Sequence, residues 1–126
     1  ISASRNAAEV LDAAGVTDLF DARVDGTVAD ELGLAGKPHP AVFVEAARRL
    51  GVAPGRAAVV EDALAGVEAG RRGGFGLVVG VARGGDPQRL RAHGADLVVA
   101  DLSELDPAEL GIGADPEAER RAGAGR

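Results

Sequence analysis

The chain has 126 residues and a formal net charge of −6, with no cysteine, methionine, tryptophan or tyrosine. That length supports one domain with a sizeable core, and the lack of cysteine excludes disulfide scaffolds, thiolate zinc sites and cysteine nucleophiles. The acidic balance leaves no basic footprint for nucleic acid and no apolar run approaches the roughly 18 residues that span a bilayer, so a soluble, cytoplasmic protein without nucleic-acid or membrane partners is expected.

In chain order, apolar runs of strand length alternate with helix-period segments, which predicts an α/β architecture with a mostly parallel sheet. "NAAEVLDAAGV" (6–16) places Ala7, Val10, Leu11 and Ala14 on one helical face, with Gly15 as its stop. "ARV" (22–24) reads as a short strand. "PAVFVEAARRLGV" (40–52) is the clearest helix, with Pro40 at its start, Phe43, Ala46, Ala47 and Leu50 on one stripe and Gly51 ending it. A strand over 57–60 leads into a helix over 63–73, then a buried strand over 75–82. "DPQRLRAHG" (86–94) has an Asp cap, a Pro at the first helical position and a Gly stop; "DLVVA" (96–100) is a strand, and Ser103 caps a last short helix through Leu110. The polar stretch 111–126 reads as a disordered tail after a core domain over 1–110.

In an open parallel sheet, ligands sit beyond the carboxyl ends of the strands. Three features fall there: the hydroxyl-rich "ISASRN" (1–6), Lys37 in "AGKPHP", and the acidic pair Glu61 and Asp62 that ends the strand "AAVV". Hydroxyls, a lysine and two carboxylates on one rim suit a phosphate with a divalent cation. Each piece has a blander alternative: Ser4 or Asn6 as a helix cap, Lys37 as a solvated surface charge, and the acids as partners of a helix dipole. "GLAGKP" fails as a nucleotide-binding loop, because Glu31 stands where that pattern needs its first Gly and Pro38 where it needs Ser or Thr.

With these neighbours in this order, the chain resembles the C-terminal part of a haloacid dehalogenase superfamily phosphotransferase, most like the β-phosphoglucomutases and their sugar-phosphatase relatives. "SASRN" is similar to the family's second motif, "GKPHPAVF" to its lysine motif and "VVEDALAGVEAG" to its acidic motif. The resemblance implies a partial Rossmann-like core, missing the first strand, the cap domain and most of the second strand. It implies that Ser2 and Lys37 bind the transferring phosphoryl group and act in catalysis, that Ser4, Arg5 and Asn6 contribute phosphate or substrate binding, and that Glu61 and Asp62 hold Mg²⁺. In the family the attacking Asp begins an Asp-x-Asp motif on the first strand. "ARVDGT" (22–27) imitates that motif but carries Arg23 at the nucleophile position and follows the serine motif.

The residues and the resemblance together lead to one expectation: Mg²⁺-dependent phosphoryl transfer on a sugar phosphate through an aspartyl-phosphate, in a longer parent whose nucleophile this stretch lacks. A phosphatase of a small phosphate ester is the alternative within the same chemistry. A catalytically silent binding or assembly module, beside a fused or neighbouring domain, is the alternative from another class. The resemblance also places strand 22–24 apart from strand 57–60, with a slot about two strands wide between them. At roughly 4.8 Å per strand, that slot separates them by about 14 Å.

Overall fold

The computed structural model describes residues 1–110, and the tail expected over 111–126 lies outside the described residues. The helices are α1 (Ala7–Ala14), α2 (Gly26–Leu32), α3 (Ala41–Leu50), α4 (Leu64–Arg72) and α5 (Pro87–Ala92). The strands β1 (Ala58–Glu61), β2 (Leu77–Val81) and β3 (Leu97–Val99) form a parallel sheet in the order β1-β2-β3. In its register Val59 lies opposite Val78, and Gly80 opposite both Glu61 and Val98. Parallel neighbours need a crossover, and α4 and α5 supply the two. Among the described residues no helix is long and apolar enough to cross a membrane.

The expected starts and stops govern these elements. Gly15 and Gly51 end α1 and α3 in the left-handed conformation that only glycine adopts at little cost. Asp86 accepts from the Gln88 amide at 2.9 Å, and Pro87 follows as the first residue of α5, where its missing N–H costs no bond. α4 brings Val67 and Ala69 fully out of water onto the sheet. Val67 joins Val78 and Leu90 in one cluster, and Ala69 joins Phe43 and Val59 in another, with Phe75 packed against both. Full burial of each Val, Leu or Phe here contributes about 1.5–3 kcal/mol.

The sequence-based expectations need correction in three places. Residues 22–24 form no strand and lie outside the sheet; the segment bonds instead to the N-terminal stretch, through Ser2 N donating to Val24 O and Gly26 N to Ser4 O, both at 3.0 Å. Helix α2 was not expected at all. Asp25, 3 % exposed, caps it by accepting from the Val28 amide at 2.9 Å, so the acid of "ARVDGT" has a structural task. The helix expected from Ser103 to Leu110 is instead a single 3₁₀ turn, Leu102–Glu104, capped by Asp101. There the Asp101 carboxylate accepts from the Ser103 amide while Glu104 reaches back to the Asp101 amide. Pro107 then disfavours helical geometry at Asp106 and stops propagation. The apolar face of α1 is only partly covered: Ala7 and Leu11 are half-buried, while Val10 is 61 % exposed.

No backbone hydrogen bond among the described residues joins 22–24 to β1. Ile1 instead faces β1 across a cavity of about 270 Å³ lined also by Leu50, Val59, Val60 and Phe75. The free edge of β1 and the half-exposed Val60 and Leu50 border this space.

Candidate phosphate and metal site

The N-terminal segment folds back on itself through its own serines. Ser2 Oγ accepts from the Ser4 amide and Ser4 Oγ from the Asn6 amide, each at 3.1 Å. A hydroxyl that accepts in this way still has its proton to donate outward, so Ser2 keeps a donor for an anion. Asn6 is the N-cap residue of α1, but its side chain makes no cap bond. Arg5 donates from Nε to Asp30 Oδ2 of α2 at 2.7 Å, and both side chains are well exposed. Close contact of the two chain segments requires glycine at 26, since a Cβ there would lie 2.4 Å from the Ala3 carbonyl oxygen.

Lys37 sits in the loop before α3, where the His39 amide donates to Gly36 O at 3.0 Å and His39 Nδ1 accepts from the Ala41 amide at 3.2 Å. Its Nζ donates to Glu61 Oε1 at 2.5 Å and lies 5.3 Å from the centre of the Phe43 ring. The two partners are shielded from water, with side-chain exposures of 29 % for Lys37 and 10 % for Glu61. Glu61 reaches the lysine by lying across the first turn of α4. A Cβ on Gly66 would come within 2.2 Å of Glu61 Cδ, so only glycine leaves the carboxylate that path.

One cavity of about 700 Å³ collects Ser2, Arg5, Asp30 and Lys37. Glu61 joins this group through its bond to Lys37, while Asp62, exposed, lines a separate recess of about 230 Å³ with Glu61 and Arg83. The remaining candidates lie apart. Ser4 borders a more apolar cavity of about 260 Å³ with Val10 and Phe20, and Asn6 borders neither space.

Among the described residues no group of three or more His, Asp or Glu side chains could by itself enclose a metal. By residue type, the adjacent carboxylates of Glu61 and Asp62 are of the kind a hard cation such as Mg²⁺ takes, one or two at a time with water and phosphate oxygens completing its shell. Of the two carboxylates Asp62 is exposed, whereas Glu61 is already paired with Lys37.

Sequence reasoning missed Phe43 as a neighbour of Lys37, Gly66 as the seat of Glu61, and Asp30 as the partner of Arg5. The signal for Gly66 was present as a glycine near the start of an otherwise good helix pattern, where it costs stability unless something packs against it. Asp30 carried no such signal, since the pair spans 25 residues of sequence.

The family profile of haloacid dehalogenase-like hydrolases matches residues 2–74. A β-phosphoglucomutase of Mycobacterium bovis is 50 % identical over 108 residues, covering 83 % of this chain and 41 % of that protein. A trehalose-phosphate phosphatase of Mycobacterium leprae is 42 % identical, over 82 % of this chain and 23 % of its own length. The crystal structure of a β-phosphoglucomutase from Clostridium difficile superposes with a TM-score of 0.70 at 33 % identity, over 86 % of this chain and 44 % of that one. The chain thus spans less than half the length of each of these relatives. With the expected motifs, the parallel sheet and the profile in agreement, the chain belongs to the haloacid dehalogenase-like hydrolase family.

Proposed function

We propose that this chain supplies the phosphate-binding and metal-binding half of a phosphoryl-transfer site acting on a sugar phosphate. The observation that carries this reading is the convergence of Ser2, Arg5 and Lys37 on one cavity of about 700 Å³, with Lys37 bonded to an acid of the strand-end pair. Lys37 donates to the phosphoryl oxygens and offsets their charge, and the Ser2 hydroxyl adds a neutral donor. Glu61 and Asp62 would hold Mg²⁺, which when bound neutralises further charge on the same oxygens. Ser4 and Asn6 shape the turn that presents Ser2 and Arg5. The attacking carboxylate, forming the aspartyl-phosphate, would come from an Asp-x-Asp strand in a longer parent, seated beside β1.

A mutase must also grip a second, non-reacting phosphate, and the Arg5 guanidinium is suited to that by its fork of donors. One observation favours a plain phosphatase as the second reading: Arg5 already pairs through Nε with Asp30, so an anion there meets a neighbouring carboxylate that competes for the guanidinium. The relatives support both readings, since one is named a phosphoglucomutase and another a trehalose-phosphate phosphatase. The test is to incubate the parent protein with Mg²⁺ and a panel of hexose phosphates, following free phosphate and isomerised product separately. Isomerisation without phosphate release supports the mutase, and release alone supports the phosphatase. No turnover of any ester contradicts both and leaves the silent module. The 126-residue chain alone is expected to turn over none of them.

A further inference from the structure

Lys37 has two close neighbours at its ammonium, and only one of them is an acid. Its ammonium also stands over the Phe43 ring, 5.3 Å from the centre. Phe43 lies in the first turn of α3, is 7 % exposed, and meets Phe75 edge-on with ring centres 6.0 Å apart and planes inclined by 75°. The ring is therefore locked by Phe75, Val59 and Ala69 and cannot follow the lysine if it moves.

Packing alone accounts for a buried Phe at this position, but the placement has a second consequence. A lysine chain carries about 2 kcal/mol of rotamer entropy, so a lysine meant to meet a phosphate must be held in place beforehand. Glu61 does this by occupying one of the three N–H donors of the ammonium. The ring attracts the positive charge through its quadrupole and uses none of the N–H donors in a conventional hydrogen bond. It also keeps water off one side of the ammonium, which strengthens the remaining electrostatic contacts.

We infer that Phe43 is the positioning residue for Lys37: its fixed ring keeps the ammonium at the rim of the phosphate cavity while leaving N–H donors free for phosphoryl oxygens. This rests on Lys37 binding phosphate, and it adds a residue to that role.

The test compares Phe43→Tyr, Phe43→Leu and replacement of Phe43 by pentafluorophenylalanine. The fluorinated ring preserves shape and burial but reverses the quadrupole, so it separates positioning from packing. In the parent protein, Phe43→Tyr is expected to retain kcat/KM on phosphate esters. Phe43→Leu and the fluorinated ring are expected to lower it by about 2- to 30-fold, the range corresponding to a cation–aromatic contact. In the chain itself, NMR should show the Lys37 ε-CH₂ protons shifted upfield by the ring, and that shift should vanish in Phe43→Leu while the Ala69 methyl signal persists. A fluorinated variant with unchanged kcat/KM and melting temperature overturns the inference, and so does a Lys37 ε-CH₂ signal indifferent to Phe43→Leu. If Phe43→Leu fails to fold, the fluorinated variant decides. If the unmodified parent turns over no phosphate ester, the proposed function has failed, and the Lys37 proton shift alone decides whether Phe43 positions the lysine.

Discussion

Gly66→Ala separates the site from the fold, because its two consequences have opposite signs. Residue 66 lies in the first turn of α4, and replacing Gly by Ala in a helix contributes up to about 1 kcal/mol. The new methyl would sit 2.2 Å from Glu61 Cδ, 2.3 Å from Oε2 and 2.6 Å from Cγ, so the carboxylate has to leave. Because the obstructing atoms end a flexible side chain, the backbone need not move. The loss is the Lys37–Glu61 bond, a charged and half-shielded contact of about 1.5–3 kcal/mol at most, reduced by the remaining solvent access of the lysine. The net effect on unfolding is therefore a destabilisation of roughly 1 kcal/mol, a shift of about 4 °C in melting temperature for a chain of 126 residues. Thermal unfolding followed by far-ultraviolet circular dichroism measures it, since the chain has neither Trp nor Tyr to report by fluorescence. In a Glu61→Ala background the obstacle is gone, and Gly66→Ala should become neutral or stabilising. Equal destabilisation in both backgrounds would refute the reasoning, because the methyl would then be striking something other than Glu61.

Gly26→Ala should cost more, since its Cβ would meet the Ala3 carbonyl oxygen at 2.4 Å and backbone cannot swing aside; a loss of about 2 kcal/mol or more is expected by denaturant unfolding. Hydrogen bonds from Arg48 and Arg49 hold the Glu45 carboxyl at about 2, below its ordinary 4.5. That depressed value makes the contribution of the cluster complete above pH 4.5 and lost as the pH falls through about 2, and a carbon-detected NMR titration of Glu45 should place its midpoint there. Replacing both arginines by Ala should return the midpoint toward the ordinary value. Asp30→Asn should free Arg5 and strengthen binding of inorganic phosphate several-fold at low salt, measured by titration calorimetry, if the acid competes for that guanidinium.

Much of this fold is legible in the sequence because punctuation and periodicity agree. Gly15, Gly51, Asp86 and Pro87 mark helix ends for local reasons that tertiary contacts do not override. The run at 75–82 reads as a buried strand because Val78, Val79 and Val81 are all withdrawn from water, as expected for a parallel strand covered on both faces. Helix α2 is obscured in the sequence by its own cap, because "ARVDGT" imitates a catalytic motif while its Asp25 marks a helix start. The end of the domain was misread because Asp101 outcompetes Ser103 as a cap, an ionised acceptor being the stronger partner for an amide. For the site, residue type and order brought Ser2, Arg5 and Lys37 to one rim, whereas the Lys37–Glu61 bond, the Phe43 ring and the Arg5–Asp30 pair depend on distances no spacing rule carries.

The measurement closest to the central claim is phosphate-ester turnover by the parent protein as a function of Mg²⁺ concentration, for the unmodified protein, Asp62→Ala and Lys37→Ala. If Asp62 is a metal ligand, its variant should need more Mg²⁺ and recover part of its activity when Mg²⁺ is raised. If Lys37 acts on the phosphoryl oxygens directly, its variant should fall by about 10²–10³ in kcat and gain nothing from added metal. Equal recovery of the two variants, or activity indifferent to both substitutions, would contradict the assignment of this rim as a phosphate and metal site.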